Sequence, residues 1–112
     1  MNLEQEIRSR AKRVDTAIEA VLEGIGVQLS EPMKYHTLSG GKRVRPFLCL
    51  LSCEISGGNS DKAVNAASAL ELAHSFTLVH DDIMDEDDLR RGRESLWKKY
   101  GTSIAINTGD GL

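Results

Sequence analysis

Eight consecutive residues, Asp81-Asp82-Ile83-Met84-Asp85-Glu86-Asp87-Asp88, carry six carboxylates. Packed that closely, they repel one another unless a cation sits among them. On a helix, side chains four apart share a face, so Asp81 aligns with Asp85 and Asp82 lies a step around the cylinder. Hard divalent cations such as Mg²⁺ take oxygen ligands, commonly one or two carboxylates together with substrate phosphates. Arg90, Arg91 and Arg93 follow at once, and the rigid arginine fork suits diphosphate oxygens. Carboxylates for a metal beside arginines for a phosphate form one reading. A solvated, charged helix end is the other reading of the same acidic run. His74 lies seven residues before Asp81 and returns to nearly the same face after two turns. Its neighbours Leu70, Leu72, Ala73, Phe76, Leu78 and Val79 are apolar, so a satisfied boundary histidine is the plainer role to set against a site role.

A second basic group lies upstream in Ser39-Gly40-Gly41-Lys42-Arg43-Val44-Arg45-Pro46. Glycines let the backbone turn or approach a ligand closely, and Pro46 suits a first helical turn. Two glycines and three basic residues ahead of a helix N-terminus make a natural place for an anion. The stretch is not a nucleotide P-loop, because the GxxxxGK spacing is absent and no strand precedes it.

These residues need elements to carry them. Leu3, Ile7, Ala11, Val14, Ile18, Val21, Leu22 and Ile25 recur at three- and four-residue steps, which predicts an amphipathic helix over about 3–24. Residues 27–37 break that period and hold Pro32, so they read as a connector. A helix over 43–56 is apolar almost all round, which predicts burial, and Gly57-Gly58 stops it. Asn59 or Ser60 caps a third helix over 60–85, whose alanines permit close helix contacts. The acidic run closes that helix, where negative charge opposes the macrodipole and calls for cationic compensation. Residues 87–101 read as a polar connection packed down by Trp97, and a fourth helix covers 103–112. No strand-like alternation or repeat occurs, so the fold class is all-α.

The chain has 112 residues, the size of one small domain, and a formal net charge of −3. That balance gives no nucleic-acid or polybasic membrane signal, and no apolar run is long enough to span a bilayer. The polar, acidic first residues do not resemble a signal peptide, so the expected location is cytoplasmic. Cys49 and Cys53, the only cysteines, sit on an apolar helical stretch and read as small core residues rather than a metal or redox pair.

Taken together, Gly40-Gly41-Lys42-Arg43-Val44-Arg45-Pro46, then His74, then Leu78-Val79-His80-Asp81-Asp82-Ile83-Met84-Asp85, then Asp88-Leu89-Arg90-Arg91-Gly92 resemble the trans-isoprenyl diphosphate synthases, or polyprenyl synthases. The match runs through nearly the whole chain in the family's order. Asp81 to Asp85 is similar to the first of the family's two aspartate-rich motifs. The resemblance implies an all-helical prenyltransferase fold around a deep cavity. It implies condensation of an allylic diphosphate with isopentenyl diphosphate and release of pyrophosphate. Asp81 and Asp85 would bind Mg²⁺ on the allylic diphosphate with Asp82 close by, and Arg90 would contact that diphosphate. Lys42, Arg45, His74 and Arg91 would hold the diphosphate of isopentenyl diphosphate. In the resembled family, the side chains four and five positions before the first aspartate help set product length. Here they are Thr77 and Phe76, about 40° and about 140° around the helix from Asp81. Small Thr77 over bulky Phe76 implies a C20 product, unless Phe76 only fills space between helices.

Two departures from the family stand out. Glu94-Ser95 replaces the Pro-Thr that commonly follows Arg-Arg-Gly-Arg. The second aspartate-rich motif, which lies much later in family members, is absent from these residues. Activity is therefore expected only with the complementary helices supplied, by a separate chain or a longer form of this one. The isolated 112 residues are expected to be inactive, and to self-associate or pair through apolar faces. Two other classes compete: a non-catalytic regulatory subunit of a full-length synthase, and a plain Ca²⁺-binding helical module. The third lacks any glycine-centred calcium loop, and the second has no need for Lys42, Arg45 and Arg91.

Overall fold

The computed structural model describes residues 2–112, the side chain of Val27 excepted. Helix α1 spans Leu3–Glu23. Asn2 caps it by accepting the Gln5 N–H at 2.9 Å, and Glu4 and Glu6 place negative charge in its first turn. Val14, Ile18 and Leu22, one turn apart, are fully buried. They join Met33, Leu50 and Ala67 in the larger of two core clusters.

Residues 27–37 are not a connector. They form helix α2, Val27–Thr37, with Pro32 inside it. Its buried stripe is Pro32, Met33, His36 and Thr37. Half of that stripe is polar, which hides the helical period from a hydropathy reading.

Helix α3 spans Val44–Ile55. Phe47 and Leu50 are buried, but Val44, Leu48 and Ile55 are exposed, so α3 buries one face and not its whole circumference. Cys49 and Cys53 are free and half-buried. A short 3₁₀ turn, Ser60–Ala63, leads into α4, Val64–Met84. The Asn59 side chain caps the turn by accepting the Asp61 N–H at 3.0 Å.

The polar connection also has internal structure, including strands that an all-helical reading leaves out. Strands β1, Leu89–Arg90, and β2, Arg93–Glu94, form an antiparallel hairpin in the register Leu89↔Glu94 and Arg90↔Arg93. Helix α5, Leu96–Tyr100, follows, and α6 runs Thr102–Gly111. Trp97 Nε1 donates to the Asp87 carbonyl at 2.7 Å and closes the connection on itself.

Helix α4 is the central element. It packs on α1, α3 and α6. Val79, Leu96 and Ala105 form the second core cluster. The α4–α6 approach is so close that a Cβ built on Gly109 would clash with the His80 ring. The Cα envelope is only 17 Å thick in its shortest direction, roughly two helix layers. Large apolar side chains, among them Leu48, Leu70, Ile55 and Ile104, remain uncovered on it.

Candidate anion-binding cleft

The loop before α3 is fixed from beneath by Arg43. This residue caps α3 in the left-handed region at φ 56° and is only 6% exposed. Its Nε donates to Asp15 Oδ1 at 2.7 Å and its Nη1 to Glu71 Oε1 at 2.8 Å. Further donations go to the Thr37 and Gly40 carbonyls. Glu71 is itself 3% exposed, so this is a buried ion pair that ties the loop to α4. Gly41, at φ +112°, passes between two guanidinium groups. A Cβ there would lie 3.1 Å from the Arg91 guanidinium carbon and 3.2 Å from Arg43 Nη1.

Arg91 and Gly92 are the two-residue loop between β1 and β2, with φ of 54° and 77°. Tight hairpins need positive φ at both positions to match strand twist, and that geometry turns Arg91 toward α2. Arg91 Nη1 donates to the His36 carbonyl at 3.2 Å, with Ser39 Oγ at 3.4 Å. Among the described residues it pairs with no carboxylate. Burial, and then the nearby Arg43 charge, lower its pKa from the usual arginine value.

A cleft of about 370 Å³ opens between these parts, lined by Lys42, Arg45, His74, Arg90, Arg91 and the Glu71 carboxylate, among others. Lys42 and Arg45 are exposed at its rim. His74, three residues after Glu71, is half-buried, and burial followed by the Arg45 charge lowers its pKa. The structure thus gathers Lys42, Arg45, His74, Arg90 and Arg91 in one place.

Arg90 has a partner of its own. Its Nε donates to Asp82 Oδ2 at 3.1 Å and its Nη2 to Oδ1, and Asp82 is 1% exposed. That pairing raises the Arg90 pKa. It also supplies, from within the chain, compensation for a carboxylate at the α4 C-terminus. Arg93 is drawn away from the cleft and lies over the Tyr35 ring. Asp81 and Asp85 are exposed on the last turn of α4, with the Asp85 N–H donating to the Asp81 carbonyl at 2.8 Å. Neither lines the cleft. Among the described residues no three His, Cys, Asp or Glu side chains converge on one point.

Phe76 and Thr77 are both exposed. Thr77 Oγ1 donates to the His74 carbonyl at 2.6 Å. Phe76 lines a largely apolar groove between α4 and α6, its ring edge-on to His80 at 5.9 Å.

Arg43, Glu71 and His36 escape a reading by motif. Glu71 left one trace in the sequence: it lies on the stripe Ala67, Glu71, Ser75, between small buried residues. A carboxylate at such a register needs a buried cation. His36 is 2% exposed and its Nε2 has no hydrogen-bond partner among the described residues. Burial, then the charges of Arg91, Arg90, His74 and Arg43, lower its pKa to about 4.

The family model for polyprenyl synthetases matches residues 27–112. A dimethylallyltranstransferase of Fischerella ambigua is 44% identical over 99% of the chain and 33% of the relative. A chloroplastic geranylgeranyl pyrophosphate synthase of Capsicum annuum is 44% identical over 99% of the chain and 31% of the relative. Among solved structures, a geranylgeranyl pyrophosphate synthetase from the archaeon Geoglobus acetivorans superposes with a TM-score of 0.88 at 44% identity, covering 94% of the chain and 35% of that protein. The architecture is therefore that of the helical isoprenoid synthases. The chain belongs to the polyprenyl synthetase family, and it spans about a third of the length of the curated relatives it matches.

Proposed function

We propose that this chain forms the diphosphate-binding wall of a prenyltransferase that condenses an allylic diphosphate with isopentenyl diphosphate and releases pyrophosphate. The observation that carries the proposal is Arg91, a half-buried cation with no carboxylate partner among the described residues, beside Lys42, Arg45 and His74. A cleft with that charge is complementary to a diphosphate. Lys42, Arg45, His74 and Arg91 bind the diphosphate of isopentenyl diphosphate. Arg90 contacts the allylic diphosphate from the opposite edge, and buried Asp82 acts through Arg90 by fixing its fork.

Asp81 and Asp85 suit Mg²⁺. They are two accessible carboxylates a turn apart, the number of protein ligands this ion commonly takes when phosphates complete its shell. Bound there, Mg²⁺ would supply positive charge to a departing diphosphate. Turnover requires complementary helices bearing the second aspartate-rich motif, whether from another chain or from a longer form of this one. The cytoplasm is the compartment this reading carries, and no helix among the described residues is long and apolar enough to cross a membrane.

Titration of the chain with inorganic pyrophosphate, with and without Mg²⁺, tests the site. Binding is expected, and Arg91→Ala should weaken it about 10-fold or more, the loss of one charged hydrogen-bonding partner. A wild-type chain that ignores pyrophosphate overturns the assignment. Mixing with a chain that carries the second motif should restore prenyl growth that neither partner shows alone.

Product length follows the same reading. In this reading Phe76, which lines the α4–α6 groove, closes it at the C20 stage; the competing role is a filler between helices. In the completed enzyme Phe76→Ala is expected to lengthen the products while Mg²⁺ dependence stays put. An unchanged product spectrum would remove Phe76 from the length-setting role.

A further inference from the structure

The hairpin that presents Arg90 and Arg91 is only two residues per strand, and an isolated ladder that short is not stable in water. Something must hold it. Within the hairpin, the Ser95 N–H donates to the Asp88 carbonyl at 2.8 Å and Ser95 Oγ to the Asp87 carbonyl at 2.6 Å, which closes its base. Its far side rests on one residue of α2. Tyr35 Oη donates to the Glu94 carbonyl at 2.8 Å. The Arg93 guanidinium lies 4.3 Å from the centroid of the same ring, and Lys99 Nζ of α5 lies 4.2 Å from it. Tyr100 meets it edge-on at 5.7 Å. Arg93 and Glu94 are the whole of β2, and Arg93 is the register partner of Arg90.

We propose that Tyr35 is a positioning residue for the anion cleft: by gripping both residues of β2 from α2, it fixes the hairpin whose other strand and loop aim Arg90 and Arg91. The same turn of α2 receives Arg91 on the His36 carbonyl and Arg43 on the Thr37 carbonyl. One helix end therefore sets the separation between the glycine loop and the arginine hairpin. Tyr35 itself does not line the cleft. Its effect on the ligand runs through the arginines. The inference rests on the diphosphate reading of the cleft for its purpose, but its mechanical part stands without any ligand.

Two readouts on the full chain separate those parts: amide hydrogen exchange of residues 89–95, and titration with inorganic pyrophosphate. Tyr35→Leu removes the ring and the hydroxyl together. It is expected to speed exchange in 89–95 by about 10-fold, as loss of a hydrogen bond and cation–aromatic contacts of this kind predicts. Exchange in α1 and α3 should stay as it was, and pyrophosphate binding should weaken by about the same factor. Tyr35→Phe keeps the ring and should retain most of both. Arg93→Leu loosens the same contact from the hairpin side without disturbing α2, and should reproduce the Tyr35→Leu pattern. Wild-type exchange in both Tyr35→Leu and Arg93→Leu would overturn the clamp. Faster exchange with unchanged pyrophosphate affinity would overturn its service to the site. A wild-type chain that fails to bind pyrophosphate overturns that service too and counts against the diphosphate reading, while the exchange data still decide the clamp.

Discussion

Glu71→Ala is expected to lower the stability of the fold by about 3 kcal/mol, the low end of the cost of breaking a buried ion pair. Arg43 would keep its charge at 6% exposure with its Nη1 carboxylate gone. Asp15 remains on Nε, which holds the loss to the low end. For a domain whose whole margin is typically about 5–15 kcal/mol, that is a large fraction. Urea unfolding followed by circular dichroism measures it. The double replacement Arg43→Met with Glu71→Leu should recover only part of the loss: an apolar pair can replace the buried ion pair at little net cost, but the Thr37 and Gly40 carbonyls and Asp15 lose their donor. If Glu71→Ala unfolds within about 0.5 kcal/mol of the parent, as an ordinary surface change does, the pair is not holding the glycine loop.

Acid should destabilise the chain through the window that His36 sets. His36 stays neutral in the fold down to about pH 4, whereas the unfolded chain protonates it near the ordinary value of 6.5. Below 6.5 the unfolded state binds the extra proton, so stability is complete above that pH and is lost progressively toward pH 4. The loss from this residue is about 3 kcal/mol, from the width of that window. The groups that oppose its protonation are all cationic or potentially so: Arg91, Arg90, His74 and Arg43. His74 is shifted the same way and adds to the loss in the same direction. Melting temperatures of wild type and His36→Leu across pH 4–8 isolate the effect, because the variant's profile should be flatter between 6.5 and 4. Parallel profiles would show that His36 is not buried as a neutral group.

Where burial is strictly apolar, the sequence was enough to locate the element. α1 announces itself through Val14, Ile18 and Leu22, whereas α4 was placed by its composition and the acidic run that ends it, since its buried face is largely polar at Ser68, Glu71, Ser75 and Asp82. α2 was hidden because its inward face is Pro32, Met33, His36 and Thr37, and because proline usually marks an end. The site was legible in part. Lys42, Arg45, His74 and Arg91 were singled out together by the family resemblance, not by periodicity, and His74 alone reads as an ordinary boundary histidine. The hairpin did not stand out, since it is held by Tyr35 and by Arg90 on Asp82, contacts that join residues with no periodic relation. Arg43 looked like one more member of a basic run. Only its depth distinguishes it from Lys42 and Arg45, and depth is a property of the assembled helices.

Arg91 occupies a left-handed position, φ 54°, ahead of Gly92. In a two-residue hairpin loop that place belongs by conformation to asparagine, aspartate or glycine, and an arginine there gives up on the order of 1 kcal/mol. Selection acting on foldedness alone would therefore drift away from arginine at this position, and each such step would look like an improvement in a thermal screen. Selection acting on anion capture pulls the other way. A stabilised derivative of this protein found by melting temperature, with no ligand in the screen, is thus liable to be a better-folded chain with a blind cleft. Pyrophosphate in the screening buffer is the simplest way to keep the two pressures aligned.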